Sequence, residues 1–159
     1  MKDDKKPISP KEALVLITAY CSREERCEYD VLKKLENFYL PTEEIEKIIS
    51  YLIENKYLNN TRYALAFVND KMRFNKWGKM KIAYALQQKR IDTETIQNAL
   101  NSLDKENSYK ILLELLKKKQ ATIKSSAPYE LKGKLYRFAA SRGFETELIS
   151  KAIHEITKN

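Results

Sequence analysis

Few side chains in this sequence could do covalent or metal chemistry. There is one histidine, His154, and there are two cysteines, Cys21 and Cys27. A structural zinc site draws on four ligands in closely spaced pairs, and a hydrolytic triad needs a nucleophile beside an oriented imidazole. Cys21 and Cys27 have no second pair to complete a cage, and no cysteine lies near His154. Neither chemistry is expected, and the cysteines read as small apolar residues that a cytosolic chain keeps reduced. The acidic pairs Asp3-Asp4, Glu24-Glu25 and Glu43-Glu44 fall where solvation and helix starts explain them. The sequence contains neither a glycine-rich phosphate loop nor an HExxH motif. We therefore expect a non-enzymatic protein with no cofactor and no metal.

The chemistry that remains is cationic. Thirty Lys and Arg face 22 Asp and Glu, a net charge of +8, and the excess is not evenly spread. Residues 1–70 come to −2, residues 71–90 to +7 with no acid, residues 91–116 to −3, residues 117–142 to +7 and residues 143–159 to −1. A block of like charge repels itself, and an anionic partner relieves that repulsion while releasing its own counterions. In the first block Lys71, Arg73, Lys76, Lys79 and Lys81 surround Trp77, the only tryptophan. This group is the expected main contact surface, with Arg62, Lys89 and Arg90 extending it. Lys132, Lys134, Arg137 and Arg142 form a second candidate surface in the other block. For both blocks the competing reading is a solvated face without a partner. Trp77 either packs on a core or stacks on a base, whereas Tyr63 and Phe67 lie on an apolar stripe and read as core.

These cations need elements to hold them. The chain has 159 residues, 43% of them hydrophobic, with only 3 Gly and 4 Pro. That composition supports a packed core and disfavours an all-β sandwich, a collagen-like rod or a linker protein. The longest mostly apolar run, Ala13 to Cys21, is half of what a bilayer span needs. The charged N-terminus lacks the apolar stretch of a signal peptide, so a cytoplasmic location and no membrane partner are expected.

Apolar residues recur at helical spacing throughout, as in Leu14, Ile17 and Cys21, or Ile45, Ile48, Ile49 and Leu52. The pattern itself repeats. Val31-x-x-x-Leu35 lies over Ile82-x-x-x-Leu86 and Leu135-x-x-x-Ala139. An apolar plug follows (Leu40, Ile91, Phe144), then Thr42-Glu43, Thr93-Glu94 or Thr146-Glu147 opens the next helix, with Ile45, Ile96 and Ile149 behind. The offsets are 51 and 53 residues. Self-similarity at this period marks a repeat architecture. The expected fold is all-α, with about nine helices in three tandem three-helix, helix-turn-helix-like repeats at 9–57, 58–103 and 104–157. Units this small bury little alone, so they are expected to lean on one another in an elongated, curved array. Residues 1–8 read as a flexible tail, and Lys124-Ser-Ser-Ala-Pro128 as a linker.

One stretch is more particular: Tyr57-Leu58-Asn59-Asn60-x-Arg62-Tyr63-Ala64-x-x-Phe67-Val68, then Arg73, then Trp77-Gly78-Lys79-x-Lys81-Ile82-x-x-x-Leu86-x-x-Lys89-Arg90-Ile91. It resembles the middle repeat of the RecX family of recombination regulators, which reads "gyLdD-x-rfA … r … G … ri … eL … kGi". The resemblance covers about residues 10–156. Departures are Asn59-Asn60 for Asp-Asp, Arg90 for the glycine of "kGi" and Lys79 for the proline often found after Gly78. Asn59-Asn60 still suits a cap for a helix beginning near Thr61. The resemblance implies a modulator, in most members an inhibitor, of the ATPase and strand exchange of a RecA-type recombinase. Such proteins act in homologous recombination, DNA repair and the SOS response by lodging in the recombinase–DNA filament. It implies weak or indirect binding of single- or double-stranded DNA, and a monomer is expected. Two other readings stand beside it. One is a helix-turn-helix module acting directly on DNA, which Gln87, Gln88, Lys89 and Arg90 permit. The other is a scaffold for an unrelated acidic protein.

Overall fold

The i, i+3/i+4 apolar spacing does become helix along the chain. The computed structural model describes residues 8–124 and 127–158. Among them lie nine helices: α1 (Pro10–Arg23), α2 (Glu28–Glu36), α3 (Thr42–Glu54), α4 (Asn60–Phe74), α5 (Lys79–Gln88), α6 (Thr93–Asn101), α7 (Lys105–Thr122), α8 (Pro128–Ser141) and α9 (Thr146–Thr157). The fold is all-α, a tandem of three-helix repeats. The tail expected at 1–8 lies outside the described residues except for Ile8, which is partly buried against the core of the first repeat. The middle of the expected linker, residues 125 and 126, also lies outside them.

The internal alignment is reproduced residue by residue. The third helix of each repeat starts at Thr42, Thr93 and Thr146, separated by the same 51 and 53 residues. The paired core positions Val31 and Leu35, Ile82 and Leu86, Leu135 and Ala139 are all fully buried. Ile91 and Phe144 are buried plugs, while Leu40 is half-buried against the first core. Of the three helix starts only Asp92 is a side-chain cap, its carboxylate accepting from the Thr95 N–H at 2.8 Å. Pro41 and Glu145 cap nothing with their side chains.

The turn between second and third helix takes the same shape in every repeat. Tyr39, Arg90 and Gly143 occupy equivalent positions just before the plug, and all have left-handed backbone, with φ of 57°, 58° and 89°. Such a residue lets the chain reverse after a helix and satisfies the last carbonyls. Lys56 and Lys76 do the same after α3 and α4.

The chain divides into two units whose border does not follow the repeats. One holds the described residues up to Tyr63 together with Lys89–Ile91, and the other holds Ala64–Gln88 with the described residues from Asp92 onward. The first unit buries Ala13, Ile17, Cys21, Val31, Leu35, Ile45, Ile48, Leu52 and Leu58 in one cluster. Both cysteines are buried thiols there, and burial pushes Cys27 up to about 11.

Candidate functional site

Trp77 sits in the second unit, and the end of α4 decides where. The last turn of α4 carries Lys71 and Arg73, cations that suit the negative end of a helix. The left-handed Lys76 then turns the chain back, so that the Trp77 N–H donates to the Lys71 carbonyl at 3.1 Å. This brings the indole under the Lys71 ammonium, 4.9 Å from the ring centroid. Lys81, in the first turn of α5, places its own ammonium 4.6 Å from the same ring. Trp77 is half-buried, so it both packs and keeps an accessible part. Two ammonium groups on one ring repel each other, and the electron-rich indole face holds them together. The result is a compact pair of positive charges on one aromatic ring. Arg73 lies 5.2 Å over the exposed Phe74 ring.

Gly78, the next residue, joins this cluster to the second basic block. Its N–H donates to the Arg142 carbonyl at 2.7 Å, and the Met80 N–H donates to the Gly143 carbonyl at 2.9 Å. The approach is so close that a Cβ on Gly78 would stand 2.4 Å from the Gly143 carbonyl carbon and the Phe144 nitrogen. A Cβ on Gly143 would stand 2.3 Å from the Lys81 Cβ. On the far side of the joint the Arg142 guanidinium lies 5.2 Å over the Phe138 ring and the Lys119 ammonium 5.0 Å over it. Lys119, Lys124, Lys134, Arg137 and Phe138 line a cleft of about 670 Å³ between α7 and α8. Lys132 lines a neighbouring cleft of about 740 Å³ with Tyr129, Tyr136 and His154. The two basic segments, separated by an acidic stretch in sequence, thus meet through backbone contact.

The remaining candidates divide. Lys76 and Lys79 are half-buried beside the cluster, with Lys79 lining a small cavity of about 230 Å³ along with Lys105, Phe144 and Glu145. Arg62, Lys89 and Arg90 belong to the first unit and are engaged there. Arg62 pairs with Glu25 at 3.0 Å and donates to the Lys56 carbonyl at 2.9 Å. Lys89 reaches Asp30 at 2.7 Å, and that hydrogen bond raises its pKa. Arg90 lies 4.8 Å over Tyr29. Asn59 caps α4 by accepting from the Arg62 N–H at 3.0 Å, whereas Asn60 accepts from Glu28 N–H at 3.0 Å, the free end of α2. Tyr63 and Phe67 are half-buried rather than fully interior, and burial raises the Tyr63 phenol pKa.

Sequence reading missed Gly143, Lys119 and Phe138. Gly143 was findable, because it stands one residue before the plug Phe144, where the second repeat has Arg90 before Ile91. Lys119 and Phe138 meet only through the packing of α7 on α8. Among the described residues no group of three or more His, Cys, Asp or Glu could hold a metal ion. No helix among them is long and apolar enough to cross a membrane.

Comparison with known proteins gives a consistent picture. Residues 59–100 match the family model of the second three-helix domain of RecX, and residues 106–153 that of the third. The regulatory protein RecX of Clostridium beijerinckii is 34% identical over 133 residues, covering 82% of this chain and 62% of that protein. The chain therefore spans about three fifths of the length of that clostridial relative. The regulatory protein RecX of Acinetobacter baylyi is 29% identical, covering 89% of this chain and 86% of that protein. The crystal structure of RecX from Lactobacillus salivarius superposes with a TM-score of 0.84 at 22% identity, over 92% of this chain and 96% of that one. That last likeness is one of fold.

Proposed function

The chain belongs to the RecX family, and from that premise we propose that it is a non-enzymatic regulator that binds a RecA-type recombinase on DNA and lowers its ATPase and strand exchange. The observation that supports this reading is the joint at Gly78 and Gly143, which brings the two basic segments into backbone contact. The unit containing it has 17 basic against 10 acidic residues, a net charge of +7 out of the +8 of the chain. A nucleoprotein filament offers phosphates and acidic protein surface along a groove, and a clustered cationic region meets both. The contact surface in this reading is Lys71, Arg73, Lys76, Trp77, Lys79 and Lys81, continued by Lys132, Lys134, Arg137 and Arg142. Arg62 and Lys89 are ion-paired with Glu25 and Asp30 within the first unit, and Arg90 lies over Tyr29 there.

The test is ATP turnover by a recombinase–single-stranded-DNA filament in the presence of this protein. Wild type lowers turnover at substoichiometric amounts. The double substitution Lys71→Glu and Lys81→Glu reverses both charges on Trp77 and weakens inhibition steeply, with helical circular dichroism unchanged. Inhibition that survives the double reversal removes this surface from the reading. Tight, sequence-selective binding to bare duplex without recombinase favours a direct DNA-binding module instead.

A further inference from the structure

The outer face of α5 does not have the chemistry of its counterparts. Ile82 and Leu86 fill the inward stripe, so Met80 and Tyr84, one turn apart, share the opposite side. They are 61% and 64% exposed. Phe74, the last residue of α4, is 68% exposed just before the short connection into α5. The repeat provides an internal control. The position of Tyr84 is taken by Lys33 in the first repeat and Arg137 in the third, the ordinary choice for a solvated helix face. The position of Met80 is taken by Tyr29, which Lys33 and Arg90 cover, and by Gly133. Only the second repeat puts two large uncovered apolar side chains there.

We propose that Phe74, Met80 and Tyr84 form the apolar centre of a docking surface for protein, whose partner carries an apolar pocket ringed by carboxylates. This rests on the functional reading above and assigns the recombinase, rather than the DNA, to this part of it. The ring is inferred from charge: residues 71–88, all in the second unit, contain five basic residues and no acid, so an acidic rim complements Arg73, Lys76 and Lys81. The centre is inferred from composition. Met, Phe and Tyr surrounded by Arg match the fully desolvated middle of protein–protein contacts. A surface built for phosphates gains from a cation at position 84, and α5 carries a tyrosine there.

That comparison supplies the experiment. Tyr84→Arg gives the second repeat the side chain type its neighbours carry and adds one positive charge at an exposed site. A phosphate contact is strengthened by it, and an apolar protein contact is broken. Two probes are used in parallel: ATP turnover of the recombinase–single-stranded-DNA filament, and binding of a bare single-stranded oligonucleotide. Tyr84→Arg, and separately Met80→Ser with Phe74→Ser, are expected to weaken filament inhibition about tenfold or more. Oligonucleotide binding is expected to stay equal or tighten with Tyr84→Arg. Full or improved filament inhibition by Tyr84→Arg overturns the proposal. Equal loss on the bare oligonucleotide by the Met80→Ser, Phe74→Ser variant overturns it in favour of a nucleic-acid contact. Wild-type protein without effect on the filament overturns the functional reading itself, which separates the two failures.

Discussion

Gly78→Ala is the sharpest test of the joint that unites the basic blocks. The added Cβ would lie 2.4 Å from backbone atoms of Gly143 and Phe144, where ordinary contact begins near 3.4 Å. Backbone cannot rotate away as a side-chain tip can, so the α8–α9 turn must retreat by about an ångström. That retreat breaks the hydrogen bonds from Gly78 N–H to Arg142 and from Met80 N–H to Gly143, now 2.7 and 2.9 Å. Each contributes about 1 kcal/mol net, and about 1–3 kcal/mol when its loss leaves a buried group unpaired. The stiffer unfolded chain of alanine returns about 0.4–1 kcal/mol. The balance is a destabilisation of about 2–4 kcal/mol, a fall in Tm of about 5–15 °C for a chain of this size. Thermal unfolding followed by circular dichroism and by Trp77 emission measures it, the indole being the neighbouring residue. Gly133→Ala is the control, because its Cβ would meet only the mobile tip of Arg137 at 3.3 Å. Inside α8 that change should stabilise by about 0.5–1 kcal/mol. If Gly78→Ala melts within about 1 °C of wild type, the close approach is wrong and the union of the two blocks goes with it.

Two further outcomes follow from local geometry. Tyr39 holds φ of 57° while 69% exposed, so Tyr39→Gly relieves the left-handed cost at little loss of packing and should stabilise by about 0.5–1 kcal/mol in chemical denaturation. A lower midpoint would show that the Tyr39 side chain contributes packing. The Cys27 thiol, raised by burial from 9.0 to about 11, should resist alkylation in the native state and react at the rate of unfolding, as read by mass spectrometry of the labelled peptide. Its folded pKa exceeds the unfolded value, so the associated stability is intact below pH 9.0 and declines as pH rises toward about 11. Native-state labelling as fast as in denaturant would contradict this.

The helices and their repeat were legible because burial enforces period. A residue such as Leu35, Leu86 or Ile149 is fully enclosed, and its spacing cannot drift without exposing it. The turn geometry was half legible. The plugs Ile91 and Phe144 were visible as apolar residues between helices, but the left-handed residue before each carries Tyr, Arg or Gly, so composition does not mark it. The candidate site was legible as charge and not as arrangement. Lys71 and Arg62 look alike in sequence, yet one sits on an indole and the other is tied to Glu25. Which cations are spent on structure depends on acids 37 and 59 residues away, and no local pattern encodes that distance.

The repeats use one joint in two chemistries, and this decides where surplus charge lies. In each case the left-handed turn of a later repeat meets the start of the second helix of the repeat before it. At the first joint Lys89 and Arg90 meet Asp30 and Tyr29, with Cys27 at the position equivalent to Gly78. There side chains make the contact, the Lys89–Asp30 ion pair cancelling one positive charge while Arg90 lies over the Tyr29 ring. At the second joint glycine stands on both sides, and the main chain makes the bond itself through two hydrogen bonds. Lys81, the counterpart of Asp30, and Arg142, the counterpart of Lys89, are both cations, so no opposite charge cancels either one across this joint. By composition the first unit has 13 basic against 12 acidic residues, and the second an excess of seven basic residues. Glycine at the second joint is thus what lets a stable fold retain unneutralised cations beside Trp77, and an anionic partner is the natural complement to charge kept in that way.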